Sequence, residues 1–332
     1  MRRALALVAA VKLTLRIRQT DAPNPNFPRG LAISPSEVPR RGASDALADD
    51  LAGDIAQEAA IAQYGIAGRI WWGALRRHEH TLTARREAAY AMLTYVAPAP
   101  GAVHDPPFVD AGTTPVVAVE LGAGTGLVGR AAARALARAG RRATVVLTDL
   151  PEVRPLLEAT AAAAQRAGEG TLRVHALAWG DAAHAAALHA ALADAGAVTH
   201  ILCSDLVYFP ALLAPLLRAL LQLTARADAA VVLAYAPRSL PKEAAFWAAL
   251  GLWFAYAPVL ARSTDGGWAR LGADWDATAV FVFVGRRRPE SRAWTVPDSD
   301  EALLAGVGGR GTERRKGDDT FETLLFMCLE DG

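Results

Sequence analysis

From residue 116 to residue 284 the chain alternates two patterns: short apolar, β-branched runs, and longer stretches in which apolar residues return every three or four positions. The first pattern is that of strands buried on both faces, the second that of helices packed against them. The strand-like runs are Val116–Glu120, Thr144–Thr148, Leu172–Leu177, Thr199–Cys203, Ala229–Tyr235, Trp253–Leu260 and Thr278–Val284. Helices are predicted between the first six, over Leu127–Ala139, Leu156–Ala167, Ala182–Ala195, Leu212–Ala225 and Lys242–Leu250. Gly140 stops the first helix, and Pro151 and Pro155 precede the second. Strict alternation of this kind gives a parallel sheet with helices on both faces, joined by right-handed crossovers. The predicted fold class is α/β: a doubly wound, seven-stranded, mostly parallel sheet. No convincing helix separates the last two runs, so they can pair directly, with the last strand antiparallel.

Outside this core the patterns are less regular. Lys12–Arg18 alternates like a strand, with Leu13, Leu15 and Ile17 on one face. The surrounding Met1–Thr20 holds five basic residues and no acid, which is also the composition of an organelle-targeting segment. Asp21–Pro39, with five prolines, reads as a connector, and Asp45–Gln63 as an alanine-rich helix. Gly65–Leu75 (GIAGRIWWGAL) is followed by helical periodicity to about Val96, and Pro98–Pro115 is a loop. Pro289–Asp319, rich in glycine and mixed charge, reads as flexible, while the apolar Phe321–Leu329 is expected to dock back as a helix or strand. The predicted division is an N-terminal extension (1–64), a central domain (65–288) and a tail (289–332).

Composition narrows the chemistry. Of 332 residues, 52% are hydrophobic and 21% charged, enough for a sizeable core, although much of the apolar fraction is alanine. Net charge is +1, so no single-signed field exists to hold a polyanion. The basic clusters at Arg40–Arg41, Arg141–Arg142, Arg286–Arg288 and Arg314–Lys316 read as solvated loops or helix ends, and a nucleic-acid partner is not expected. The two cysteines, Cys203 and Cys328, exclude a disulfide framework and fit a reducing, cytoplasmic setting. Neither they nor the seven histidines show metal-ligand spacing, so no metal is expected. No apolar run reaches the roughly 20 residues that span a bilayer, and no membrane partner is expected. The chain is taken to be a monomer.

One segment carries candidate chemistry. Val116–Gly129 reads VVAVELGAGTGLVG: a buried strand ends in an acid, Glu120, and Gly122, Gly124 and Gly126 follow, with Ala123 between the first two, before a helix begins. Ligands of open parallel sheets bind beyond the carboxyl ends of the strands, where glycines let the backbone come close. Asp149 ends the second strand, a position from which a carboxylate reaches both hydroxyls of a ribose. A nicotinamide or flavin enzyme also shows glycines here. Glu120 favours a cationic ligand over a pyrophosphate, which points to S-adenosylmethionine (SAM), with its ammonium and sulfonium.

Four blocks resemble the family 16 protein-lysine methyltransferases, seven-strand class I enzymes with a Rossmann-like fold. GRIWWGA (Gly68–Ala74) is similar to the family's tryptophan motif, and VELGAGTGLVG with TDLPEV to its cofactor signature. LAWG (Leu177–Gly180) resembles the tryptophan-glycine pair after the third strand, and SDLVYFP (Ser204–Pro210) contains the Asp-x-x-Tyr hallmark as Asp205 and Tyr208. The resemblance spans Gly65–Arg288 and looks nearest to fungal elongation-factor lysine methyltransferases. Thr160 departs from it, standing where the family usually has Asn, and Ser204 stands where many members have Ala. The resemblance implies SAM as cofactor, held by Trp71, Glu120, Gly122, Ala123, Gly124, Gly126, Asp149, Trp179 and Ser204. It implies a protein lysine as substrate, with elongation factor 1-alpha as the suggested partner, and Asp205 and Tyr208 as the catalytic pair.

Physical chemistry assigns roles to that pair. A free lysine has a pKa near 10.4, so presenting the neutral amine at pH 7 costs roughly 4–5 kcal/mol unaided. Asp205 alone stabilises the ammonium, so its role is to dock and orient the amine; Tyr208 shapes the channel, its ring face favouring a cation. The rival for Asp205 is a cap on the following helix; for Trp71, Trp179 and Tyr208 it is plain packing. Two alternatives of function also stand: a small-molecule or nucleic-acid methyltransferase on the same fold, and a SAM-binding scaffold without turnover.

Overall fold

The computed structural model describes residues 63–64, 67, 75–78, 81–84, 88–113, 115–263, 265–273 and 280–330. The strand expected at Lys12–Arg18, nearly all of the helix expected at Asp45–Gln63, and Gly68–Ala74 with Trp71 lie outside the described residues. Seven strands form one sheet: β1 (Val116–Leu121), β2 (Ala143–Asp149), β3 (Thr171–Ala176), β4 (His200–Ser204), β5 (Ala230–Tyr235), β6 (Phe254–Pro258) and β7 (Phe281–Arg287). Their order is β3-β2-β1-β4-β5-β7-β6. The first five run parallel. β7 inserts between β5 and β6, antiparallel to both, so the last two strands pair directly.

All six residues of β1 are buried, and its period of two sorts them between two cores. Val117, Val119 and Leu121 pack into one cluster with helices α4 (Ala182–Ala191), α5 (Pro210–Leu223) and α6 (Leu240–Trp253). On the opposite face Val116 and Ala118 meet residues of α2 (Leu127–Arg138) and α3 (Arg154–Arg166). Helix α1 (Ala88–Val96) extends that second layer under β5 and β7, burying Met92 and Tyr95. Strand order reverses between β1 and β4, and ligands of open parallel sheets bind beyond the carboxyl edge at such a point.

Two local expectations are corrected. Helical periodicity between Leu75 and Val96 is realised only in α1; Leu75–His78 and Thr81–Ala84 pair instead as an antiparallel hairpin. The β-branched Thr81 and Thr83 favour that extended backbone. The loop before β1 also carries a strand, His104–Asp105, which pairs with Leu260–Arg262 in a three-stranded sheet completed by Trp268–Arg270.

The larger correction concerns Pro289–Asp319, expected to be flexible. It is packed along α5 and α6 and includes a short helix, α7 (Asp300–Leu304). Leu303 is buried in the main core, and Trp294 sits edge-on to Trp253 at 5.5 Å between ring centroids. Arginines do much of the fastening, because one guanidinium can satisfy several carbonyls left over at helix ends. Arg292 donates to the carbonyls of Thr224, Ala225 and Ala227 beyond α5. Arg218 donates to Pro297, Asp298 and the Asp300 carboxylate. Buried Arg287 spends its donors on Ser291 and the Leu221 carbonyl. The segment then delivers helix α8 (Thr320–Glu330), whose Phe321 stacks flat on Trp247 at 4.4 Å and 9°. Among the described residues no helix is long and apolar enough to cross a membrane.

Since Phe321 is 1% exposed and stacked on the core, Phe321→Ala is expected to lower unfolding free energy by about 3–5 kcal/mol. Urea denaturation measures this; a loss below about 1 kcal/mol would mean the tail adds nothing to the core.

Candidate active site

The glycine turn begins where β1 stops. Gly122, Gly124 and Gly126 all have positive φ, between 55° and 75°, a conformation that costs other residues roughly 1–2 kcal/mol. The turn is stitched down by Ala123 N–H donating to the Thr148 carbonyl at 2.9 Å and Gly126 N–H donating to the Ala123 carbonyl at 2.7 Å. Thr160, at the family's usual Asn position, also fastens it: its hydroxyl donates to the Thr125 carbonyl at 2.8 Å. A Cβ on Gly122 would lie 2.8 Å from the Trp179 ring, so the close approach this glycine permits is that of Trp179. At Gly124 the approach is by the Ala67 carbonyl.

Glu120 is engaged within the chain. It is 3% exposed, and its Oε2 accepts the Gly129 N–H at 2.8 Å in the first turn of α2. Burial pushes its carboxyl up to about 8; the Gly129 bond opposes this and neighbouring Asp149 adds to it. Glu120 thus also supports the turn from beneath. The preference against pyrophosphate survives by another route, because the carboxyl already takes the helix N-terminal N–H that a phosphate would use.

Asp149 ends β2 with both oxygens engaged: Oδ2 accepts from Gly124 N–H at 2.9 Å and Oδ1 from Leu150 N–H at 2.8 Å. Each oxygen keeps a second lone pair for a hydroxyl. Desolvation nevertheless raises this carboxyl above the usual carboxylate range, against the pull of those two N–H groups. Further donors at the ligand side would relieve that state.

Ser204 ends β4 and Asp205 follows it. Asp205 N–H donates to the Ala234 carbonyl at 2.9 Å, and its backbone sits at φ 63°, where only glycine is at ease. Among non-glycine residues, Asp and Asn tolerate that region best. The carboxylate is 5% exposed and pairs through Oδ2 with Nη2 of Arg238, a residue that no sequence pattern singled out. Its Oδ1 is buried without a hydrogen-bond partner, and so is the neighbouring Ser204 hydroxyl. Two unsatisfied oxygens beside one strand end form a receptor for a donor that the described residues do not supply.

The capping rival for Asp205 fails. Helix α5 starts at Pro210 behind Phe209, and no side chain caps it. Residues 206–209 are not helical, so Asp205 and Tyr208 do not share a helix face. They still meet electrostatically: burial first, then Asp149 and Asp205, push the Tyr208 phenol up to about 12, while Arg238 pulls it down. Asp149, Asp205, Tyr208 and Arg238 thus form one neighbourhood, with Gly122 and Trp179 beside it. Leu206 bridges the two parts, its side chain lying 3.0 Å from the position of a Cβ on Gly122. Of the other expected site residues, Trp71 lies outside the described residues. No group of His, Cys, Asp and Glu that could hold a metal occurs among the described residues; Cys203 is buried, and burial raises its thiol pKa.

Comparison with known proteins agrees with this geometry. A family model described as lysine methyltransferase matches residues 54–251. No protein of curated description matches. Among solved structures, an O-methyltransferase family protein from Burkholderia thailandensis aligns with 15% identity and a TM-score of 0.33, over 52% of this chain and 51% of that one. The chain thus spans about half the length of that protein. The strand order, with its antiparallel β7 between β5 and β6, is that of the class I methyltransferase fold. The residues fit SAM: Asp149 retains lone pairs for the ribose, and the orphaned Ser204 and Asp205 oxygens stand at the same sheet edge.

Two measurements follow from these assignments. Glu120→Gln keeps the acceptor for Gly129 but cannot ionise. Because folding raises the Glu120 pKa from about 4.5 to about 8, its contribution is intact below pH 4.5 and is lost as pH rises through 8. The wild type should therefore lose stability relative to Glu120→Gln between pH 5 and pH 8.5, in paired urea denaturations without ligand; a constant difference would show that Glu120 ionises normally. Asp149→Ala should weaken SAM binding by about 2–3 kcal/mol in calorimetry, and unchanged affinity would remove Asp149 from the ribose site.

Proposed function

Given that the chain belongs to the family of SAM-dependent lysine methyltransferases, we propose that it transfers a methyl group to the side-chain amine of a lysine in a protein substrate. The observation that carries this reading is Asp205: a buried carboxylate in a left-handed turn, one oxygen paired with Arg238 and the other unpartnered at the sheet edge where the cofactor fits. A carboxylate oxygen left without a donor at that edge suits an incoming ammonium.

Bound SAM supplies an activated methyl on a sulfonium. The chain's own residues supply the rest. Asp149 holds the ribose, the stitched glycine turn fixes the backbone, and Trp179 closes the wall over Gly122. Asp205 Oδ1 accepts an N–H of the substrate amine and so aims its nitrogen. Tyr208, neutral because burial holds its phenol high, offers a ring face and a hydroxyl without adding charge. Orientation in a water-poor site is where such a reaction gains most, since the amine nitrogen, the methyl carbon and the departing sulfur must be collinear. Translation elongation factor 1-alpha is the substrate to test first; its support is the resemblance of the GRIW and VYFP blocks.

The test is transfer of labelled methyl from SAM into a protein extract, with the label found on lysine. Label in small molecules or RNA, or binding without turnover, would overturn the reading. Asp205→Asn keeps shape, tolerates the left-handed backbone and loses the charge. Turnover should fall roughly a hundredfold or more while SAM affinity stays nearly constant. Normal methylation by this variant would remove Asp205 from the reaction.

A further inference from the structure

Docking an amine on a buried carboxylate creates a difficulty. The carboxylate favours the ammonium, yet only the neutral amine can accept a methyl group. The structure contains a counterweight. Arg238 lies three residues beyond the end of β5 and reaches Asp205 across 33 positions of sequence. The loop that presents it is braced by Glu243, which is 1% exposed. That carboxylate accepts the Tyr235 hydroxyl at 2.5 Å, the Arg238 N–H at 3.3 Å and the Ser239 N–H at 3.0 Å. Arg238 is thus set in place by a buried network at the start of α6, and its guanidinium takes only one oxygen of Asp205.

Resting on the reading of Asp205 as the dock for the acceptor amine, we propose that Arg238 is a positioning residue: it offsets the Asp205 charge so that the docked amine gives up its proton near neutral pH. It also leaves Oδ1 as the one oxygen of Asp205 open to the amine, which fixes the direction of approach. Among the described residues, the charged and titratable groups around that amine come from five elements: Asp149 from β2, Asp205 and Tyr208 from the segment after β4, Arg238 from the β5–α6 connection, Glu243 from the first turn of α6, and Glu120 from β1 beneath the turn. Without Arg238 the nearest charge to the amine is an uncompensated carboxylate. The proton goes to water before transfer. The nitrogen lone pair then forms the new N–C bond while the C–S bond breaks and its electron pair returns to sulfur.

The test compares wild type, Arg238→Gln and Arg238→Lys across pH 6–10, using the extract-methylation assay at saturating SAM. Removing the charge should raise the pKa of the docked amine. The acid limb of turnover should move up by about one unit or more, with a roughly tenfold loss at pH 7 that shrinks towards pH 10. Arg238→Lys keeps the charge and should restore the wild-type limb at neutral pH. SAM affinity by calorimetry should be the same in all three. Should the glutamine variant not fold, Arg238→His carries the test, because it is charged below about pH 6.5 and neutral above. A uniform loss at every pH, or a lysine variant shifted as far as the glutamine one, would reduce Arg238 to a structural brace and overturn the proposal. If wild type labels no lysine at all, it is the reading of the site that falls. If wild type labels lysine and the charge-removing variant keeps its acid limb, the proposal for Arg238 alone falls.

Discussion

The turn between β1 and α2 is held by a hydrogen bond from Gly129 to the buried Glu120 carboxyl, and this bond leaves no room for a side chain at position 129. A Cβ there would lie 2.3 Å from Leu147 and 2.6 Å from the Glu120 oxygen itself. The first turn of α2 can therefore sit directly on β1 and β2, which fixes the path of the three glycines between strand and helix. Everything at the carboxyl edge inherits that position. Asp149 is placed against Gly124, Trp179 against Gly122, and Thr160 against the carbonyl of Thr125. The arrangement costs a desolvated acid in the core. A helix N-terminus is one of the few places in a protein where such an acid finds a compensating dipole.

Beyond the turn the site is organised by charge. Two acids end neighbouring regions of the sheet, Asp149 after β2 and Asp205 after β4, and one guanidinium stands among them. Asp149 is satisfied on both oxygens by backbone N–H groups, whereas Asp205 is paired on one oxygen with Arg238. The division follows from where each strand stops: β4 and β5 end together, with Ser204 opposite Ala234, so the loop after β5 is delivered straight to Asp205.

Much of this architecture was legible in the sequence. Buried parallel strands leave continuous apolar runs, and all seven were placed within a few residues. The glycine turn was legible because few other residues can occupy those backbone positions. The bond from Gly129 to Glu120 has a sequence signal too: by period two Glu120 shares a face with Val116 and Ala118, both packed under α2 and α3. The Asp205–Arg238 pair had no such signal, because an ion pair between distant loops leaves no periodicity. The ordered tail was hidden by composition. Its glycines and charges resemble those of a disordered segment, and its anchors are isolated residues, Ser291, Leu303 and Phe321, far apart in the chain. The guanidinium-to-carbonyl bonds that hold it in place depend on helix ends that exist only after folding.

The stacking of Phe321 on Trp247 has a consequence for how the protein is made. Synthesis proceeds from the amino terminus, so the sheet and α6 leave the ribosome well before the residue that covers the Trp247 ring. During that interval the ring face, with Tyr235 and Phe283 beside it, is open to water and to other chains. The same α6 carries Glu243 one turn before Trp247, so the brace of the Arg238 loop and the seat of the tail ride on one rod. A ribosome stalled before residue 321 would release a chain with a formed cofactor turn and an unsealed aromatic seam, the kind of intermediate that chaperones retain and that aggregates when they do not.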